Sequence, residues 1–379
     1  MKTECCCRPE VAGTFDFVLE KRPDRDYVIL VLSDTQMLAW WWSNEASPER
    51  NSLRYTIEEL INNTDPDLIL CTGDITADGR EEVFRDFGVY MDSLEIPWAT
   101  VWGNHDHTYR IFPDYGMSLA DMEALYTNGF KNCLFCAGDP AMGSGNFTIG
   151  ICEGERFVEA IFMMDSHTVQ AYTDADGHEF MSEASINDAQ QAWYRERVEA
   201  MRQLGCLDST IVTHQPLTGH AMAFRAALAD LDTYTSQLRP DSAKYGVGWR
   251  EEYKDTSFGI FRVKCDCAGL VCGHIHPDDG MHDLLRTLGH TKNAVCGHCH
   301  ENNMSVLFEG IRYTHGLKTG GGANSYWNFD FGQNGGTVIR VASDGVTDLY
   351  HEYVPYPDFF EKSQCHGKVR APFDPEYNG

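Results

Sequence analysis

Five apolar segments along this chain each end in a short polar turn: VILVLSDTQ, LILCTGDIT, WATVWGNHDH, STIVTHQPL and NAVCGHCHENN. Continuous apolar runs of this kind suit strands buried on both faces, in sheets that are covered by further layers on each side. Side chains leaving the ends of such strands gather in a common crevice, where layered α/β proteins bind their ligands. The turn residues are a selected polar set. Asp34 and Gln36, Asp74, Asn104 and His105, His214, then His298 and His300 carry the oxygen and nitrogen lone pairs that suit a cation.

Between these segments the spacing predicts helices. Leu53, Ile57, Leu60 and Ile61 share one helical face within 50–63, and Val83, Phe87, Met91 and Leu94 do so within 80–94. Pro97 then opens the strand that leads to Gly103, Asn104 and His105, so one β-α-β unit is followed by another. A short helix near 119–126, strands at NFTIGIC and FVEAIFMMD, and a helix over 186–204 with Trp193 and Met201 on its apolar side continue the order. Segment 112–145 reads as a rim insertion. Segment 219–280, where no strong period persists, reads as lid material over the site. The expected organisation is an extension over 1–26, a catalytic unit over 27–320, and a final part over 321–379 whose strands IRVAS and LYHEYV pack on the core.

An apolar content of 42%, with 12% aromatic, is ample for a large core. Thirty basic against 57 acidic residues leave a net charge of −27, which opposes a broad electrostatic grip on nucleic acid or anionic lipid. A small phosphorylated substrate is still compatible, because bound metal ions meet its charge locally. The opening MKTECCCRPEVAGTFDF lacks the apolar core of a secretory signal, and no run approaches the roughly 18 apolar residues of a membrane span. A cytoplasmic location is expected, and with it reduced thiols at the fourteen cysteines. Cys5, Cys6 and Cys7 form a cluster open to oxidation, while Cys133 with Cys136, and Cys265 with Cys267 and Cys272, supply only half of a structural zinc pattern.

Two divalent cations held close together need a shared anionic bridge, and Asp74 is the candidate. Asp34 then serves as a terminal ligand of the first cation, with His300 completing that side and Gln36 offering an amide oxygen. The second cation takes the Asn104 side-chain carbonyl, His214 and His298. An oxygen and nitrogen set without thiolate points to manganese, iron or zinc. Such a pair, about 3.5–4 Å apart, lowers the pKa of a shared water and clamps a phosphoryl group for in-line attack. His105 is placed to protonate the leaving oxygen, a contribution of about 10²–10⁴ in rate, and Asp106 to orient that imidazole or the neighbouring ligand. Gly73, Gly103 and Gly297 fit turns where a side chain would crowd the cations. The chemistry is that of a binuclear metal-dependent hydrolase of phosphate esters, acting on a small phosphorylated metabolite or a phosphoprotein.

At these residues the chain resembles the calcineurin-like metallophosphoesterases, whose pattern is D-x-H, G-D, G-N-H-D/E, a lone His, then G-H-x-H. The resemblance spans about 27–320 and implies a four-layer αββα sandwich of two mixed β-sheets flanked by helices, with phosphomonoesterase or phosphodiesterase activity. It implies metal roles for Asp34, Asp74, Asn104, His214, His298 and His300, and the proton-donor role for His105. Gln36 departs from the usual His of the first motif. Manganese-dependent ADP-ribose and CDP-alcohol diphosphatases look similar in carrying Gln there, and the loss of one imidazole favours a harder ion.

Several features admit two readings. Cys-Gly-His-x-His occurs at 272–276 and again at 296–300, and the order and spacing of the flanking segments favour His298 and His300 over His274 and His276. Trp40, Trp41 and Trp42 either pack the helix after them or wall the pocket, Trp41 being the candidate substrate contact. Arg250, Arg262 and Lys318 are candidate phosphate contacts in a chain poor in bases, or else solvated charges. Gln36 and the tryptophans keep a nucleotide phosphodiesterase or diphosphatase in view, and a catalytically silent metal-binding module is the reading from another class.

Overall fold

The computed structural model describes residues 11, 13–107, 116–173, 179–183, 186–227, 249–259, 280–322 and 325–365, with 169–173, 179–183 and 327 described by backbone alone. His274, His276, Arg262, Cys5 to Cys7, Cys265, Cys267 and Cys272 lie outside the described residues. Two sheets form the centre. The seven-stranded sheet has the order β1-β5-β6-β9-β10-β12-β11, from β1 (Phe17–Glu20), β5 (Phe147–Glu153), β6 (Arg156–Met163), β9 (Ser209–Thr213), β10 (Thr291–Cys296), β12 (Ile311–His315) and β11 (Ser305–Phe308). The five-stranded sheet has the order β14-β13-β2-β3-β4, from β14 (Gly345–Tyr353), β13 (Gly335–Ala342), β2 (Tyr27–Leu32), β3 (Leu68–Cys71) and β4 (Trp98–Thr100). A separate ribbon pairs β7 (Val169–Thr173) with β8 (Glu179–Glu183).

Eight helices connect or cover them: α1 (Ala39–Trp42), α2 (Pro48–Thr64), α3 (Glu81–Ser93), α4 (Leu119–Asn128), α5 (Asp188–Gln203), α6 (Thr218–Ala227), α7 (Met281–Leu288) and α8 (Tyr326–Asp330), counted among the described residues. The start of α2 is written locally, since the Ser47 side chain accepts from the Arg50 amide and Pro48 opens the first turn. At α5, Asn187 and Gln190 form a reciprocal capping box.

Period-two alternation divides the seven-stranded sheet between two cores. Ile161, Val212 and Val295 join the cluster shared with the five-stranded sheet, α2 and α3. Their neighbours Phe162, Ile211 and Ala294 join the second cluster, beneath Tyr194 and Val198 of α5, Phe224 of α6 and Leu285 of α7. Strands buried on both faces explain why these segments read as continuous apolar runs. The result is a four-layer αββα sandwich with two mixed sheets. Among the described residues no helix is long and apolar enough to cross a membrane.

The flanks enter the sheets. Within 1–26, expected as an extension, β1 pairs in parallel with β5, Phe17 facing Ile149. Strand β13 does more than pack on the core, because it lies between β14 and β2, with Thr337 opposite Val31. A four-residue edge strand such as FVLE is too short to declare itself by periodicity.

Candidate metal centre

Strands β2, β3 and β4 run parallel, as do β9 and β10, so their carboxyl ends deliver five turns to one edge of the sandwich. The turns are tight. Among the described residues eight non-glycine residues have positive φ, and four of them are Asp34 (54°), Gln36 (42°), Asp74 (50°) and His298 (68°). Left-handed backbone at such residues persists only when its surroundings over-determine it. Here the first two turns bind each other, the Gln36 amide donating to the Asp74 carbonyl at 2.8 Å and the Met37 amide to Ile75 at 3.1 Å. Lys318 Nζ donates to the Asp34 carbonyl at 2.5 Å, and the His298 amide donates to the Asp34 carboxylate at 3.0 Å.

One ligand atom each from Asp34, Asp74 and His214, all buried, lie within 4.8 Å of one another. His300 Nε2 stands 3.4 Å from Asp34 Oδ1, and His214 Nε2 stands 3.4 Å from Asp74 Oδ1. Asn104 Oδ1 lies 2.8 Å from His214 Nε2 and 2.9 Å from His298 Nδ1. All six residues expected as ligands apart from Gln36 thus meet at this edge.

The donor set can be tested for a cation. His214 Nδ1 is 2.9 Å from the Thr72 carbonyl, where it donates, so a neutral ring turns the Nε2 lone pair toward Asn104 and Asp74. Burial pushes His214 below its ordinary value and favours that neutral form, against the pull of Asp74 and Asp34. Burial by itself would raise the Asp34 carboxyl, but the hydrogen bond and charge of His300, with His214 and Lys318, hold it below the usual carboxylate range. Ionised carboxylates, an amide oxygen and imidazole lone pairs converge, and a divalent cation is the partner that satisfies them.

Glycine makes the convergence possible at two points. A Cβ on Gly103 would stand 2.1 Å from Asp74 Oδ1, and one on Gly297 would stand 2.8 Å from Asp34 Oδ2 and 2.4 Å from Thr72 Oγ1. Either would push a carboxylate out of place.

His105 donates its backbone amide to Asp74 Oδ1 at 2.9 Å, and its ring Nδ1 lies 3.2 Å from the Ala77 carbonyl. The carbonyl can only accept, so Nδ1 carries the hydrogen of this contact and Nε2 is the ring nitrogen left open. For Asp106, expected to orient the His105 imidazole or the neighbouring ligand, the two carboxylate oxygens accept the Thr76 amide at 3.1 Å and the Gly103 amide at 2.8 Å, which ties the second turn to the third. Burial and the Asp74 charge raise its pKa well above the usual value.

Gln36 reaches the centre through its amide nitrogen, which donates to Asp74 Oδ2 at 2.8 Å, while its buried Oε1 has no partner among the described residues. Of the substrate contacts expected from sequence, Trp41, Arg250 and Lys318 lie among the described residues. Trp41 is fully buried in the core, as is Trp42, and only Trp40 is exposed, at 60%. Lys318 is buried beneath the first turn rather than displayed at the surface, and burial lowers its ammonium to about 8 against the pull of Asp34 and Asp74. Arg250 is exposed ahead of the turn Glu251–Tyr253. Two contributors carried no sequence signal: the Thr72 carbonyl behind His214, and Asn328, which donates to the His300 carbonyl at 2.8 Å. A backbone carbonyl is invisible in side-chain patterns, and Asn328 lies 28 residues beyond its partner.

Seven described cysteines are free, Cys133 and Cys136 among them. Cys299, between His298 and His300, is disulfide-bonded, where a reduced thiol was expected.

A family model described as calcineurin-like phosphoesterase matches residues 27–278. That span closes just past the first Cys-Gly-His-x-His copy, whereas His298 and His300 of the second stand at the site. A probable cyclic nucleotide phosphodiesterase of Xenorhabdus bovienii (strain SS-2004) is 42% identical over 70 residues, which are 18% of this chain and only 27% of that relative. A dimetal phosphatase from Danio rerio is similar in structure at a TM-score of 0.45 and 10% identity, over 88% of this chain and 100% of that one.

Proposed function

The chain belongs to the calcineurin-like phosphoesterase family and is a hydrolase of phosphate esters, and from that premise we propose a two-cation centre acting on a small phosphorylated metabolite or a phosphoprotein. The observation that carries this reading is the buried meeting of Asp34, Asp74 and His214 ligand atoms within 4.8 Å. Asp34 and His300 would hold one cation, Asn104, His214 and His298 the other, and Asp74 would be shared. Manganese, iron and zinc suit the set. When bound, the pair supplies an acidified water and offsets the charge that gathers on the phosphoryl group.

The chain's own residues do the rest. Gln36 and the His105 amide each donate to one oxygen of Asp74 and so fix the plane of the shared carboxylate. His105 gives a proton from Nε2 to the departing oxygen, its Nδ1 held by Ala77 so that the ring is already aimed. The Thr72 carbonyl steadies the His214 ring from behind.

A second reading, a nucleotide phosphodiesterase, is favoured by the relative named as a probable cyclic nucleotide phosphodiesterase. Comparing turnover of bis-p-nitrophenyl phosphate with that of p-nitrophenyl phosphate separates the two. The test of the centre is hydrolysis after chelation and re-addition of manganese, iron or zinc, in the native chain and in Asp74→Asn. Activity should vanish with chelator and return with metal only in the native chain. Undiminished turnover by Asp74→Asn would end the assignment.

A further inference from the structure

Three of the candidate ligands are held by groups within the motifs themselves. His214 is fixed through its ring by the Thr72 carbonyl, His298 through its amide by Asp34, and Asn104 by contact with both imidazoles. His300 is held differently. Among the described residues it makes hydrogen-bonding contact with Asp34 through its ring and with Asn328 through its carbonyl.

Asn328 is 1% exposed, and its Nδ2 donates to the His300 carbonyl at 2.8 Å. It sits on α8, a single short turn of helix that other contacts fasten down. The Phe329 ring packs against Tyr356 and Phe360, at centroid distances of 5.1 and 6.3 Å. Asp330 pairs with Lys362 at 2.5 Å, and the Gln333 amide donates to the Asn328 carbonyl at 2.7 Å. A second link joins the same two segments, Asn303 Nδ2 donating to Gln333 Oε1 at 2.6 Å. The loop that carries His298 and His300 is therefore anchored to a segment further along the chain, both of them beyond the span that the family model matches.

We propose that Asn328 is a positioning residue for the His300 side of the centre, fixing the loop backbone so that the imidazole meets its cation beside Asp34. The proposal rests on the two-cation reading. Asn328 touches neither substrate nor cation, and acts by removing conformations in which His300 swings away from Asp34. Groups that orient a ligand in this way set metal affinity by about 10- to 100-fold.

The test is manganese binding to chelator-stripped protein, followed by calorimetry and by electron paramagnetic resonance, in the native chain, Asn328→Ala, Asn328→Asp and Gln333→Ala. The native chain should bind two manganese ions and show a spin-coupled spectrum. Asn328→Ala should keep one tight ion, bind the second about 10- to 100-fold more weakly, and show an uncoupled single-ion spectrum at intermediate loading. Asn328→Asp keeps the side-chain shape but lacks the donor, and should weaken the same site. Gln333→Ala removes the second link, together with the Gln333 Nε2 bond to the Phe331 carbonyl, but leaves the bond from Asn328 to His300 in place, and should bind as the native chain does. Native binding by both Asn328 variants overturns the proposal, as does equal weakening by Gln333→Ala, which would mean a general loosening of the loop. A native chain that binds fewer than two ions overturns the two-cation reading itself, and this proposal with it.

Discussion

Replacing Glu159 by Gln should make the protein more stable, increasingly so as pH rises. Glu159 lies on β6 in the middle of the sandwich and is fully buried. One oxygen accepts from Thr210 Oγ1 at 2.9 Å, and the other has no partner among the described residues. Burial, aided by the Asp208 charge and opposed by the Thr210 hydrogen bond, pushes its pKa from 4.5 up to about 8. The folded chain then holds a proton that the unfolded chain releases between those two values. Stability falls across that window by about 1.4 kcal/mol per pH unit, a loss of about 3 kcal/mol by pH 7 and somewhat over 4 by pH 8. The amide introduced by Glu159→Gln would keep the acceptor for Thr210 and carry no ionisable proton, so the penalty disappears while the volume is retained. Urea unfolding of both chains in chelator, at pH 5, 6, 7 and 8, measures the difference. A gap that opens steadily with pH is expected. A gap that stays constant would mean that the carboxyl is not held neutral by the fold, and the reasoning would be wrong.

His105→Ala should leave the metal content unchanged while lowering kcat by about 10²–10⁴, read by elemental analysis beside steady-state kinetics. Gly103→Ala brings a methyl to 2.1 Å from Asp74 Oδ1, so metal uptake should fall and overpacking should cost about 1–3 kcal/mol in unfolding experiments. Trp41→Ala should cost about 3–5 kcal/mol because the ring is wholly buried, whereas Trp40→Ala, at an exposed position, should change stability by less than about 0.5 kcal/mol.

Much of the framework was legible in the order of residues alone. The apolar runs are the strands β2, β3, β4, β9 and β10, and the helical spacing within 50–63 and 80–94 marks α2 and α3 to within two residues at each end. The residues expected as ligands stood out in the sequence because each lies within four positions of the end of an apolar strand. Trp41 and Lys318 were not readable in the same way. Both sit among residues whose burial depends on segments far along the chain, and a tryptophan or lysine looks the same in sequence whether it faces solvent or the core. Asp106 likewise shares a motif with His105, yet its carboxylate serves Thr76, 30 residues earlier.

Local order determined the kinds of groups available here: apolar strands, their polar exits, and the glycines that let the exits turn. Those properties depend on residues a few positions apart, so the linear chain carries them. Which exits meet, which charges are buried, and that Asn328 stands behind His300 while Glu159 lacks a second partner among the described residues, were decided only by the packing of two sheets. Hydrogen bonds and desolvation act over a few ångströms of space, and that proximity exists only after distant segments have come together.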